Sequence, residues 1–301
     1  MKNTHRYEIF DVFTNAAFTG NPLAIVYDAQ DLNDEQMLKI TQEFNLAETV
    51  FVLPAENPIH RAKIRIFKPS GEMPFAGHPT IGAASALANL TTSQQTETLM
   101  ILEEKIGIVR CAVKLCGDTS FVEFDLPKLP QSLPLTLKSE VFAVAFGVEN
   151  REIGFENHRP SLWSAGVPFY FVPIDHLSTI AGISADPLFI AQNFADEEGN
   201  IPSFYLYCRE TQRIDTAFHA RMLRADGSED SATGSAASAF IGLAHHFDQY
   251  QNGDHELWLE QGLEMGRPSR IKLGFHIHDD KIANARIGGK SVKIAQGEIF
   301  F

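Results

Sequence analysis

Apolar and polar residues alternate along the first stretch of the chain. YEIFDVF (7–13) and LAIVYD (23–28) have the period of half-buried strands, and the turn-rich TNAAFTGNP, with Gly20, Asn21 and Pro22, lies between them. A pair of adjacent strands is expected. The period changes in LNDEQMLKITQEF (32–44), where Asn33 can cap, Gln36 stands at the capping-box position, and Leu32 and Met37 occupy the staple positions, which together predict a helix. TVFVLP (49–54) and AKIRIF (62–67) are strand-like, and LMILEEKIGIVRCAVKL and TSFVEFDL supply three more strands. LPKLPQSLPL (126–135) carries Pro127, Pro130 and Pro134 without apolar periodicity, the pattern of an extended connection. It divides the chain into halves at 1–128 and 129–301, with the last strand free to pack back on the first half. The second half begins with mixed elements in SLWSAGVPFYFVPI (161–174) and ends in the strand candidates ELWLEQ, RIKLGFHIHD and SVKIAQGEIFF.

Each half holds one segment that breaks the pattern. GAASAL (82–87) and SAASAF (235–240) match in four of six positions about half a chain apart, which points to an internal repeat. Residues 79–90 and 232–244 carry no charge, so each segment reads as a helix apolar on every side, buried on every side. Central helices over 79–90 and 234–247, each wrapped by five or six strands of its own half in a rolled sheet, meet that demand.

Composition narrows the function classes. The chain has 301 residues, 44% of them hydrophobic, enough for one large or two medium cores. A formal net charge of −13 opposes phosphate backbones and anionic membrane surfaces, so neither a nucleic acid nor a membrane is expected as a partner. The start, MKNTHRYEIFDVF, lacks the features of a secretory signal, and a cytoplasmic location is expected. Cys111, Cys116 and Cys208 are odd in number and lack metal-ligand spacing, the pattern of reduced core filler.

The chemistry concentrates at the starts of the two small-residue helices. With Pro79 at the first helical position, His78 becomes the cap and Gly77 allows the tight turn before it. The exposed N–H groups and the helix dipole make such an end an anion site. The second start follows GSEDSATG (227–234), with Asp230 and Ser231 beside it. An anion is therefore expected near Gly77, Pro79 and Thr80, and near Ser231, Thr233, Gly234 and Ser235. Two such ends on one interdomain cleft would hold a carboxylate and stabilise developing negative charge, as an enolate requires. Purely structural roles compete at each position: His78 as an ordinary cap, Asp230 and Ser231 as capping residues, and Glu48 in NLAETVF (45–51) as a solvated strand-edge charge.

These segments resemble the phenazine biosynthesis PhzF-like isomerases, which share the diaminopimelate epimerase fold. GNPLAIV (20–26), NLAETVF (45–51), MPFAGHPTIGAA (73–84), RMLRADGSEDSATGSAAS (221–238) and QGLEMGRPSR (261–270) run in family order over nearly the whole chain. The resemblance implies an α+β fold of two pseudosymmetric domains, each a rolled, mostly antiparallel sheet around a central helix, with the active site between them, and a homodimer. It implies Glu48 as the acid/base that moves a proton. Gly77, His78, Asp230, Gly234 and Ser235 would line the cleft, with His78 and Asp230 orienting or protonating a small carboxylate-bearing substrate. No cofactor is expected. The chain departs from the family pattern at Ser231, where Pro or Ala is common, and in MLRADGS, which lacks a frequent Pro; both changes bear on substrate identity.

Other chemistries fit less well. An epimerase or racemase of this fold places one thiol at each helix start, where this chain has Ala76-Gly77-His78 and Asp230-Ser231-Ala232. No GxSxG elbow or Gly-rich phosphate loop occurs. His276 and His278 in HIHDD share a strand face without a third ligand, so no metal site is expected, and His245 and His246 suit the C-terminal dipole of the second helix. A binding protein that keeps the cleft without the reaction would lack reason to retain Glu48, His78 and Asp230 together.

Overall fold

The computed structural model describes residues 4–90, 97–196 and 198–300. The alternating start forms β1 (Thr4–Val12) and β2 (Asn21–Val26), an antiparallel pair. Gly20 between them has φ 69° and lies so close to the Val12 carbonyl that a Cβ would fall 2.3 Å from its oxygen, so this turn needs glycine. α1 (Asp34–Phe44) starts on the full capping box expected of it: Gln36 N–H donates to Asn33 Oδ1 at 2.9 Å and Asn33 N–H donates to Gln36 Oε1 at 3.0 Å. Leu32 and Met37 are both buried in one cluster with Val26, Phe51 and Phe67. There follow β3 (Glu48–Leu53), β4 (Ala62–Lys68), the short β5 (Gly71–Met73), α2 (Gly77–Asn89), β6 (Glu97–Glu104), β7 (Gly107–Cys116) and β8 (Thr119–Asp125).

The chain divides into two compact units, one of Met1–Pro127 with Arg286–Phe301, the other of Lys128–Ala285. Division by chain order alone would leave residues 286–301 in the second half. The second unit contains β9 (Gln131–Leu133), α3 (Ser139–Phe146), β10 (Ser161–Ser164), β11 (Pro168–Pro173), α4 (Leu177–Gly182), α5 (Pro187–Asn193), β12 (Ser203–Cys208), β13 (Phe218–Leu223), β14 (Glu229–Asp230), α6 (Gly234–Asp248), β15 (Gly253–Gln261) and β16 (Ser269–His278). The last strand, β17 (Lys281–Phe300), closes the first unit: Arg286–Val292 pair with β8, and Ser291–Phe300 pair with β1.

The ladder of the first unit runs β17, β1, β2, β3, β4, β6, β7, β8 and back to β17, a closed ring rather than a roll of five or six strands. α2 fills it, packing against β1, β2, β3, β6, β7 and β8, and every residue from Gly77 to Ala88 is buried. Small side chains let the wall approach: a Cβ on Gly82 would lie 2.4 Å from Leu23 Cδ2. α6 is likewise buried from Gly234 to Ala244 except at Ser235, and a Cβ on Gly242 would fall 2.8 Å from the Trp163 ring. On the other face of β11–β13, α3, α4 and α5 bury Phe142, Phe146, Ile180 and Ile190 against Val172, Phe204 and Leu206.

Strand pairing repeats from one unit to the other. β1–β2 is antiparallel, β2–β3 parallel, β3–β4 and β4–β5 antiparallel, β4–β6 parallel and β6–β7 antiparallel. The series β10–β11, β11–β12, β12–β13, β13–β14, β13–β15, β15–β16 has the same directions in the same order. The repeat extends to side chains. Glu103 accepts the N–H groups of Glu56 (2.8 Å) and Asn57 (2.9 Å) and meets His60 Nδ1 at 2.7 Å. Glu260, at the same register in β15, accepts those of Gln212 (2.6 Å) and Arg213 (3.2 Å) and meets His219 Nδ1 at 3.2 Å.

Candidate functional site

In the first unit, Asn45 in the left-handed region (φ 51°) ends α1 and turns the chain into β3, whose first residue is Glu48. Parallel pairing sets Glu48 opposite Leu23 of β2. α2 begins two residues earlier than its Pro79 suggested. Ala76, extended at φ −154°, is the N-cap, so Gly77 and His78 are the first two helical residues and Pro79 the third. This corrects the expectation of His78 as cap and Pro79 at the first position. Proline fits because no N–H in the opening turn has an intrahelical partner, and the ladder starts with Thr80 N–H donating to Ala76 O at 3.2 Å.

The shift carries the His78 ring to Glu48. His78 Nε2 lies 3.3 Å from Glu48 Oε2, and their side chains are 4% and 16% exposed. Burial pulls the imidazole down to about 3, so the ring is neutral at physiological pH. Glu48 is thus no solvated edge charge: a carboxyl and a neutral imidazole touch beside free helix N–H groups, an arrangement able to accept a proton and hand it on.

In the second unit Asp230 ends β14, paired with Met222 of β13. The hairpin that delivers it is braced by its own motif. Arg221 pairs with Glu229 and donates to the carbonyls of Ile180 (2.7 Å) and Ile183 (3.0 Å), while Arg224 donates to Glu229 O at 3.0 Å. Thr233 is the N-cap of α6 and donates from Oγ1 to Asp230 Oδ2 at 2.8 Å. Ser231 and Thr233 are buried, Gly234 opens the helix, and Ser235 is half-buried.

Two residues that the sequence reading did not single out organise these starts. Gln261, the last residue of β15, donates from Nε2 to Asp230 O (2.7 Å) and Thr233 Oγ1 (3.0 Å), and its Oε1 accepts from Thr233 N–H (3.2 Å) and the Tyr205 hydroxyl (3.1 Å). Glu104, the last residue of β6, lies 2.7 Å by its Oε1 from Thr80 Oγ1. The signal was present: LEE (102–104) and LEQ (259–261) end equivalent strands. Thr80 and Thr233, expected at a ligand, therefore use their hydroxyls internally. Gly262, at φ 78°, lies against Ser231, where a Cβ would be 2.5 Å from its carbonyl oxygen.

None of the cysteines stands at a helix start. Cys111 and Cys208 are buried in β7 and β12, their thiols pushed up chiefly by burial, and Cys116 is exposed. Glu156, His158 and Asp248 gather atoms as a metal site would, but Arg209 donates to Glu156 at 2.9 Å and Asp248 at 2.7 Å, so a guanidinium already supplies the positive charge. His276 pairs with Asp254 at 2.7 Å on the surface. No helix among the described residues is long and apolar enough to cross a membrane.

Comparison with known proteins fits this arrangement. The family profile described as phenazine biosynthesis-like protein (PhzC-PhzF) matches residues 10–297. A protein of Mesorhizobium japonicum named an uncharacterised isomerase is 48% identical over 300 residues, covering 99% of both chains. A trans-2,3-dihydro-3-hydroxyanthranilate isomerase of Pseudomonas chlororaphis is 31% identical over 297 residues, covering 98% of this chain and 99% of its own. The crystal structure of a Bacillus anthracis phenazine biosynthesis protein of the PhzF family superposes with a TM-score of 0.89 at 24% identity, covering 99% of this chain and all of that one, which shows the fold. The sheet-rich α+β fold is shared with solved PhzF family and proline racemase structures, and this chain is an isomerase that belongs to the PhzC-PhzF family of phenazine biosynthesis-like proteins.

Proposed function

We propose that the protein is a cofactor-independent isomerase in which Glu48 takes a proton from a carbon of a small carboxylic acid and returns it elsewhere on the same molecule. The carrying observation is the 3.3 Å contact between Glu48 and a neutral His78 at the start of α2. The carbon is one activated by a neighbouring carbonyl, imine or diene. Its C–H bond breaks, the proton bonds to a Glu48 oxygen, and the electron pair spreads into the conjugated system until another carbon takes the proton back. Composition and oxidation level are unchanged.

The other residues serve charge and orientation. Pro79 has no N–H, so Gly77 and His78 supply the free backbone donors of α2, and those of α6 begin at Gly234 and Ser235. These donors, with Pro79 and Ser231 shaping the two starts and Thr80 and Thr233 holding them, are assigned to the substrate's carboxylate and the charge that develops beside it. A neutral His78 donates a hydrogen bond without competing for the proton. Asp230, oriented by Thr233, positions or protonates the substrate. A homodimer in the cytoplasm belongs to the same proposal, checked by light scattering and cell fractionation.

A relative is named for trans-2,3-dihydro-3-hydroxyanthranilate, which makes that compound the first to try, followed by a panel of small carboxylic acids screened by thermal shift. In D2O, wild-type protein should build solvent deuterium into the substrate or product. Turnover without deuterium uptake, retained in Glu48→Gln, would remove Glu48 as the proton carrier.

A further inference from the structure

The small-residue segments align Thr80 with Thr233, and the strand registers align Glu104 with Gln261. In the second unit the protons of this contact are all placed. Thr233 N–H requires an acceptor, which fixes Gln261 Oε1 toward it; Nε2 then donates to Thr233 Oγ1, and the threonine gives its own proton to Asp230. In the first unit Thr80 Oγ1 has one proton and two neighbours, the Ala76 carbonyl at 2.9 Å and Glu104 Oε1 at 2.7 Å. The carbonyl has no proton to give. Glu104 is 7% exposed, its Oε2 is buried with no hydrogen-bond partner, and no cation pairs with it among the described residues. An ionised carboxylate there would lose its hydration without compensation.

We propose that Glu104 acts as a neutral carboxylic acid, the counterpart of the Gln261 amide: it donates its proton to Thr80, Thr80 donates to Ala76 O, and the pair holds the opening turn of α2 that carries His78. Glu104 is a positioning residue. Burial pushes its carboxyl up to about 8, opposed only by the Thr80 hydrogen bond. The titratable groups around it carry no charge that would reverse this. On α2, His78 is neutral; on β7, Cys111 remains a thiol, raised by burial and by Glu104 itself, with Asp125 of β8 acting on that thiol. The cations of neighbouring strands are engaged elsewhere: Lys63 with Glu56, Arg65 with Asp34 and Glu72, Lys105 with Glu72, and Arg61 with the Leu87 carbonyl. Glu103 is occupied by His60 and two backbone N–H groups.

The positioning role rests on reading the α2 start as catalytic; the protonation state does not. Both are tested without substrate, by thermal unfolding from pH 5 to 8.5 and by the NMR signals of the Thr80 amide and His78 ring in wild type, Glu104→Gln and Glu104→Leu. The unfolded chain releases the Glu104 proton near its ordinary 4.5 while the folded chain keeps it to about 8, so wild-type stability falls across that window. Glu104→Gln should escape the fall, exceed wild type in Tm at pH 8 and leave both signals in place. Glu104→Leu, similar in bulk, should move both signals. A Gln variant that follows wild type at every pH would overturn the neutral acid, and a Leu variant with unmoved signals would overturn the positioning role. Failure of Glu48 as proton carrier would appear separately, in the deuterium experiment.

Discussion

The two central helices are alike along their buried lengths and differ at their tips. Both are apolar on every side, both use glycine where the wall approaches, and both are anchored through a threonine by the last residue of the following strand. At the tip, α2 continues through Gly77 and His78, whereas the aligned Asp230 and Ser231 stay outside α6 in a strand end and a turn. The extra turn presents an imidazole to the β3 carboxylate; the missing turn presents Asp230 instead. The repeat supplies a rigid frame of small residues, and divergence confined to a few positions at its rim supplies distinct chemical groups.

The largest break in the comparison should come from exchanging the two acids for their amides. Glu48→Gln keeps shape but cannot take a proton, and turnover should fall about 10²- to 10⁴-fold with binding retained. Asp230→Asn keeps an acceptor for Thr233 and should change KM and kcat together by a smaller factor. Steady-state kinetics with deuterium uptake would read both. Equal losses would mean that the two starts share the proton chemistry.

Acid should strike the first unit through His78. Its folded value of about 3 lies below the ordinary 6.5, so between these limits the unfolded chain binds a proton that the folded chain refuses, and stability is lost as pH falls through that window. The slope is at most about 1.4 kcal/mol per pH unit for one group. His78→Gln should flatten this part of the Tm profile. An unchanged acid limb would place the sensitivity in another group.

Much of this was written in the chain. Asn33, Gln36, Leu32 and Met37 announce α1 because a cap is local chemistry, and the charge-free runs announce both central helices because uniform apolarity has only one solution, enclosure. The segments after residue 174 were less legible: β12 (SFYLYC) and β13 (FHARML) have buried residues on both faces, between α6 and the layer of α3, α4 and α5, and such strands lose the two-residue period. The closed ring was not legible either, since it depends on β17 pairing with strands far away in sequence. At the site, residue types were legible and the helix phase was not: Pro79 favours the first helical position but is tolerated throughout the first turn, and the contact of His78 with Glu48 is one made in space.

Gly262 tests how tightly the second start is held. Its φ of 78° is strained for any other residue, and a Cβ would meet the carbonyl oxygens of Ser231 at 2.5 Å and Arg267 at 2.6 Å. Gly262→Ala should destabilise by about 1–3 kcal/mol, with the loss read by denaturant unfolding. The aligned position of the first unit is Lys105, exposed and paired with Glu72, where alanine should change stability by less than about 1 kcal/mol. Similar losses at both would deny the second start its backbone-on-backbone contact.

The smallest expected effect comes from writing the first unit's residue into the second, Gln261→Glu. A neutral acid at this position can donate one proton where the amide donates two, to Asp230 O at 2.7 Å and Thr233 Oγ1 at 3.0 Å, while still offering an oxygen to Thr233 N–H. One buried hydrogen bond is lost, about 1 kcal/mol at pH 5. Gln261 is fully buried, so the new carboxyl should resist ionisation as Glu104 does, and because the unfolded chain then releases a proton that the folded chain keeps, the deficit should grow as pH rises. The neighbouring Asp230 carboxylate, held by Thr233, adds like charge that the first unit does not have at Gly77, so the deficit should keep growing to a higher pH than the wild-type loss assigned to Glu104. Tm measured from pH 5 to 8.5 in the single variant and in Gln261→Glu with Glu104→Gln would separate the two contributions. A flat difference from wild type across that range would show that the second unit accommodates an ionised carboxylate at this position, and that the two anchors are alike in place but not in electrostatic demand.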